Sequence, residues 1–169
     1  MRAEDKVMQK PLFVVCAFCL LTSLAVAQTK MSSTITCGKN TIQQMVPVGD
    51  RPNHSFGVTQ GNCTATKPWK VAGVDGKEGV GTNIVEVDGA VTKSRGVYVE
   101  TMANGDQAHY RYEAASTTKD GQMHIDEHKW QLVAGTGKLK GVKGHGTCKG
   151  GGTVDSVAYE CEGEYTLPK

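Results

Sequence analysis

Tyr98, Glu100, His109 and Arg111 are the residues of this sequence best suited by type to acid–base work, because a carboxylate facing an imidazole can pass a proton. They flank Asn104-Gly105. Asn-Gly is the strongest short signal for a two-residue type I′ hairpin turn, in which both central residues need positive φ. Such a turn pairs residues whose numbers sum to 209, so Glu100 faces His109 and Tyr98 faces Arg111. The opposite face of the hairpin, Arg95 to Met102 with Gln107 to Ala114, then holds Val97 against Tyr112 and Val99 against Tyr110. One side rests on a core and the other meets water. Cross-strand charge pairs are also a routine surface device worth roughly 0.2–1 kcal/mol, so no residue is assigned a catalytic role.

Other spacings imitate known chemistry and lack its context. His124-Ile125-Asp126-Glu127-His128 has the H-x-x-E-H form of a zinc peptidase helix. Here it runs into an alternating segment with Trp130 and Leu132. In a strand the two histidines stand about 13 Å apart, too far to share one zinc. Gly135-Thr136-Gly137-Lys138 lacks both Walker A spacing and the third glycine of a dinucleotide loop. It reads as a tight bulged turn. Lys138, Lys140, Lys143 and Lys149 form a small basic cluster that Glu160, Glu162 and Glu164 can balance. The expectation is therefore no metal and no cofactor.

Tyr110, Tyr112, Trp130 and Tyr159 fall on the apolar sides of their segments. They read either as ordinary core or as the lining of a ligand cavity, where an apolar body with a polar tip is useful. These four are the candidate ligand-binding residues, and a small apolar molecule is the candidate ligand.

The elements that must position these residues are strands. Glycine contributes 21 of 169 residues without a collagen period, and interior glycine costs a helix roughly 1 kcal/mol relative to alanine. Period-two alternation recurs in Val157 to Tyr165 and His128 to Val133. Thr34 to Gly38, Thr41 to Val48, His54 to Ala65, Trp69 to Val74 and Thr82 to Val87 read as further strands. Asp75-Gly76, Asp88-Gly89 and Asp120-Gly121 mark turns. Many short strands suggest a sandwich or a closed barrel. The net charge of +2 gives no nucleic-acid footprint.

Residues 1–27 carry a charged start, the apolar run Leu12 to Leu21 and Ala25-Val26-Ala27, the pattern of a secretory signal peptide. Cleavage there leaves 28–169 as the folded domain, with no apolar run long enough to span a membrane. The expected location is secreted or periplasmic. Cys37, Cys63, Cys148 and Cys161 remain, an even count that reads as two disulfides. Of three connectivities, register favours Cys37–Cys63 with Cys148–Cys161, because a turn centred on Val154-Asp155 places 148 opposite 161.

Thr101-Met102-Ala103-Asn104-Gly105-Asp106, the run Gly135-Thr136-Gly137-Lys138-Leu139-Lys140-Gly141-Val142-Lys143-Gly144, and Glu162-Gly163-Glu164-Tyr165 resemble segments of a group of small bacterial exported proteins of unassigned function. Their barrels look related to the allene oxide cyclase and dirigent group. The resemblance implies an all-β, up-and-down, lipocalin-like barrel of about eight strands. It carries over no catalytic residue, since the cyclase's active-site pattern is not matched here. Three functions remain in play: a non-enzymatic binder of a small apolar molecule, a cyclase- or isomerase-like enzyme on a lipid-like substrate, and an envelope or interaction protein that self-associates through its wall.

Overall fold

The computed structural model describes residues 28–168. The segment 1–27, read above as a signal peptide, and Lys169 lie outside the described residues. The strands are β1 (Thr29–Gly38), β2 (Ile42–Pro47), β3 (His54–Lys67), β4 (Lys70–Val71), β5 (Val74–Asp88), β6 (Val91–Met102), β7 (Gln107–Lys119), β8 (Gln122–Gly135), β9 (Lys143–Thr153) and β10 (Ser156–Thr166). A short 3₁₀ turn, Gly137–Leu139, joins β8 to β9. All pairings are antiparallel, and β3 bonds to both β1 and β5 while β1 bonds to β10. The ring β1-β3-β5-β6-β7-β8-β9-β10 is therefore a closed eight-stranded barrel. β2 lies on the β3 edge that β1 vacates, and β4 is a short flap on β5.

Alternation sorts each strand into lumen and surface. Met31 and Ser33 of β1, Tyr98, Glu100 and Met102 of β6, Ala108 and Tyr110 of β7, Trp130 and Leu132 of β8, and Cys161 and Tyr165 of β10 are buried inside. One end of the lumen is plugged. Trp69, Val71 and Val74 enter it from the β3–β5 connection, and Leu139 and Val142 from the β8–β9 connection. The other end is bounded by tight turns between β5 and β6, β7 and β8, and β9 and β10.

Inward glycines make room for the rings. A Cβ on Gly146 or Gly163 would run into the indole of Trp130, and one on Gly79 would meet the ring of Tyr98. Small-against-large packing of this kind fills a narrow barrel. β9 carries glycine at 144, 146, 150, 151 and 152, which is why it has no readable alternation in sequence and is not among the expected strands. The expected strand Trp69 to Val74 is instead broken by a two-residue turn, because Ala72 and Gly73 take positive φ between β4 and β5.

The central correction concerns the β6–β7 hairpin. Its residues pair with numbers summing to 208, not 209: Glu100 faces Ala108, Tyr98 faces Tyr110 and Val97 faces Arg111. Only Gly105 takes positive φ. Gly105 N–H donates to Met102 O and Met102 N–H to Asp106 O, at 2.9 Å each, closing a turn one residue longer than type I′. Asn104 and Asp106 explain the choice. Asn104 Oδ1 accepts from Asp106 N–H, and the Asp106 carboxylate takes bonds from Asn104 Nδ2 and Lys138 N–H. A one-residue slip sends one strand's side chains to the other face. Tyr98 and Glu100 point inward, whereas Val97, Val99, His109 and Arg111 point outward.

Both disulfides form as expected, Cys37–Cys63 between β1 and β3 and Cys148–Cys161 between β9 and β10. Replacing Cys148 and Cys161 together by serine should lower stability by about 3 kcal/mol, the chain-entropy value for a loop of this size. Urea denaturation of the oxidised protein measures it, and an unchanged midpoint contradicts the assignment of a stabilising staple.

At the turn-bounded end a buried histidine clasps two loops. His54 lies between Asp50 (Nδ1 to Oδ1, 2.6 Å) and Glu86 (Nε2 to Oε1, 3.2 Å). Arg51 ties Asp50 to Asp88, the last residue of β5. The hydrogen bond to Asp50, with a further one to Glu86, raises the His54 pKa above its ordinary value, while Asp50 and Asp88 are lowered by their bonds to His54 and Arg51. A raised histidine pKa stabilises the fold fully below the unfolded value near 6.5 and loses that contribution as pH rises through the folded value. Unfolding free energy should therefore fall across that window, and His54→Gln should remove this part of the slope. Parallel pH profiles for the two proteins would refute the clasp.

Candidate functional site

The lumen contains two side-chain clusters. Toward the plugged end, Glu100 is 0% exposed. Its Oε2 accepts from Trp69 Nε1 at 2.7 Å and from Tyr110 Oη at 3.1 Å. Trp69 stacks on Tyr110 at 5.3 Å, and Trp130 meets both rings edge-on at 5.3 and 5.8 Å. Tyr98 lies 5.9 Å from Tyr110. Glu100 Oε1, Tyr98 Oη and Trp130 Nε1 are buried without a partner. Burial raises the Glu100 pKa, with the Trp69 and Tyr110 hydrogen bonds pulling partly back. Burial likewise raises Tyr98 and Tyr110. A carboxyl in such surroundings favours its neutral form, because ionisation without a paired charge is costly in a low dielectric.

The second cluster sits further toward the turn-bounded end and is only half buried. Tyr112 stacks on His128 with ring centres 5.2 Å apart, and His128 contacts Tyr159 at 5.7 Å. Tyr112 Oη donates to Asn83 Oδ1 of β5. His128 Nδ1 is buried and unpartnered. Burial lowers the His128 pKa to about 4, so the imidazole is neutral at physiological pH and behaves as a third ring.

A bulge in β8 creates this second cluster. Ala115 pairs with Glu127 and Ser116 with Ile125, so Asp126 is the extra residue. The bulge switches the inward set from Met123 and Ile125 to His128, Trp130 and Leu132. It also separates the histidines of the H-x-x-E-H sequence: His124 is exposed outside and His128 faces the lumen. No group of three or more metal-ligating side chains occurs among the described residues.

All four aromatic candidates face the lumen. Tyr110 and Trp130 belong to the packed lower cluster, Tyr112 and Tyr159 to the half-buried upper one. The expected Glu100–His109–Arg111 face does not exist, since Glu100 is inside and His109 and Arg111 are outside. His128 and Asn83 complete the upper cluster. His128 stood in sequence on the same alternating side as Trp130, while Asn83 carries no local signal. Trp69 completes the lower one from a turn region that alternation cannot place.

No protein-family model matches the chain, and no curated protein matches it. Four chains of solved structure do. One is a pterocarpan synthase dirigent protein, 10% identical, matched over 97% of this chain and 100% of its own with a TM-score of 0.44. The closed barrel described above rests on this chain's own strand pairings.

The Glu100 environment predicts a pH signature. Its folded pKa lies above the unfolded value, so the native state holds the proton longer and unfolding free energy falls as pH rises from about 4.3 through the raised value. Glu100→Gln removes that fall, and its stability relative to wild type should climb across the same window and then level off. Glu100→Ala strands the Trp69 and Tyr110 donors and should cost about 2–5 kcal/mol. Urea denaturation between pH 4 and 8 decides it; a pH-independent difference for Glu100→Gln means the carboxyl is not held neutral.

Proposed function

We propose that this chain is an exported, non-enzymatic barrel protein that holds a small apolar molecule in the turn-bounded half of its lumen. Tyr112, His128 and Tyr159 grip it, and Tyr110 and Trp130 form the floor. The observation that carries this reading is the incompletely buried stack of three neutral rings above a filled aromatic layer. Flat apolar surface open to solvent inside a concave wall gains most by covering itself with a ligand. His128 Nδ1 supplies one polar atom to orient that ligand. Export rests on the signal-like 1–27 segment and agrees with two disulfides, which persist in oxidising compartments. Among the described residues no helix is long and apolar enough to cross a membrane.

A cyclase- or isomerase-like reaction is the second reading, favoured by one observation: Glu100 is an inward carboxyl with an unused oxygen. Its supposed partner His109 lies on the outer wall, and Trp69 and Tyr110 already engage the other oxygen, so binding is the stronger reading.

The test uses protein purified from its own host and examined by native mass spectrometry, together with titration of the neutral planar probe N-phenyl-1-naphthylamine. A retained small molecule, or probe binding that weakens about tenfold or more in Tyr112→Ala and Tyr159→Ala, is expected; tenfold corresponds to about 1.4 kcal/mol. Absence of both, or equal binding in the variants, overturns the proposal.

A further inference from the structure

The outer wall of the barrel is uneven. Nine large apolar side chains are exposed on β2, its following loop, β3, β5 and β6, among them Ile42, Val46, Phe56, Val58, Ile84 and Val97. Val46 sits opposite Phe56 and Val58 opposite Ile84, so much of this set forms a continuous stripe. The wall of β9, β10 and β1 instead carries Glu160, Glu162, Glu164, Lys149, His145 and Lys30.

β2 also leaves a strand edge open. It is hydrogen-bonded to β3 alone among the strands. Val48 N–H donates to His54 O. Antiparallel ladders alternate, so Ile42, Gln44 and Val46 direct their backbone groups to β3, and Gln43 and Met45 direct theirs away. Folded proteins blunt such edges with charges, an inward lysine, proline or a bulge. Asn40 to Gly49 contains no charged residue, and its one proline, Pro47, stands at the strand's end.

We propose that β2 pairs antiparallel with β2 of a second copy of this chain, forming a two-fold dimer with its axis at Gln44. The occupant follows from the self-complementarity of the edge. In that register Ile42 faces the second copy's Val46, both on the apolar outer side, and the two Gln44 amides face each other across the axis. Gln43 and Met45 of one copy exchange backbone hydrogen bonds with Met45 and Gln43 of the other. Each β-branched side chain thereby extends the neighbouring stripe, and the uncharged edge presents no like-charge repulsion to its own copy. An isologous contact of this kind closes on itself and stops at two.

The register makes a geometric demand. Gln44 falls at a non-hydrogen-bonded position on the axis, where Cα atoms approach to about 4.5 Å, within disulfide reach. Gln44→Cys should cross-link into a covalent dimer under mild oxidation, whereas Val58→Cys, one strand further in on the same face, should not. Gln44→Lys places two like charges together and should convert the protein to monomer, while Asn62→Lys on the outer face of β3 leaves the dimer intact. Light scattering after size exclusion over 5–200 µM (roughly nanomolar to micromolar affinities being scored as dimer), with circular dichroism to verify folding, reads the result. A monomer at every concentration, a trimer or larger assembly, a dimer that survives Gln44→Lys, or equal cross-linking through Val58→Cys overturns the proposal.

Discussion

The Asp106 carboxylate is the anchor on which the lumen's chemistry depends. It takes hydrogen bonds from Asn104 Nδ2 and Lys138 N–H, and so fastens the β6–β7 turn to the β8–β9 connection. Held there, the turn spends an extra residue, and every side chain of β6 is assigned to the opposite face from the one that the shorter turn would give it. Tyr98, Glu100 and Met102 become lumen residues by this route. Val97 and Val99 become part of the outer wall. The segment from Gly135 to Gly144 thus acts twice: it supplies Leu139 and Val142 to the plug and fixes the hairpin that delivers Glu100.

Once Glu100 is inside, its burial has to be compensated locally. Trp69 and Tyr110 each give a donor to one oxygen, and the neutral form removes the need for a counter-charge. Trp69 reaches Glu100 only because the β3–β5 connection folds inward, and Gly76 admits the carboxyl, since a Cβ there would overlap Oε1. The hydrogen-bonded acid and the aromatic layer consequently form one unit at the plugged end. The upper rings differ in kind. Tyr112, His128 and Tyr159 are stacked and incompletely buried, with their polar atoms few and uncharged.

The all-β character and both disulfides were legible because they depend on local alternation, turn residues and cysteine register. Alternation left sandwich and barrel open, and the eight-stranded closed barrel was what the resemblance implied. Asp120-Gly121 behaved as its type suggests, with positive φ at both residues. Asn104-Gly105 did not, because a tertiary contact to Lys138 outweighed the dipeptide's own preference. Alternation puts Tyr110, Tyr112, Trp130 and Tyr159 on the apolar sides of their segments, and those sides face the lumen. β9 has no sequence signal because glycine carries no side chain by which a face can be recognised. The bulge at Asp126 likewise has no local signature, although it decides that His128 and not Glu127 enters the lumen.

The glycine content acquires a more specific meaning from this arrangement. Gly146 and Gly163 are adjacent partners on β9 and β10, and the Trp130 indole lies where their Cβ atoms would be. Gly79 does the same for Tyr98. These are backbone walls shaped to large rings, so their small size is a packing requirement and not a source of flexibility. A barrel of eight strands has an interior just wide enough for side chains to fill or for one small ligand. Concentrating the rings over glycine toward the plugged end leaves the upper rings of Tyr112, His128 and Tyr159 without an aromatic layer above them. The asymmetry along the barrel axis, with tightly packed rings below and a stacked, less completely buried set above that buried Val85, Ser116, Ile125 and Val157 follow toward the turns, is therefore written into where glycine and tryptophan face each other across β8, β9 and β10.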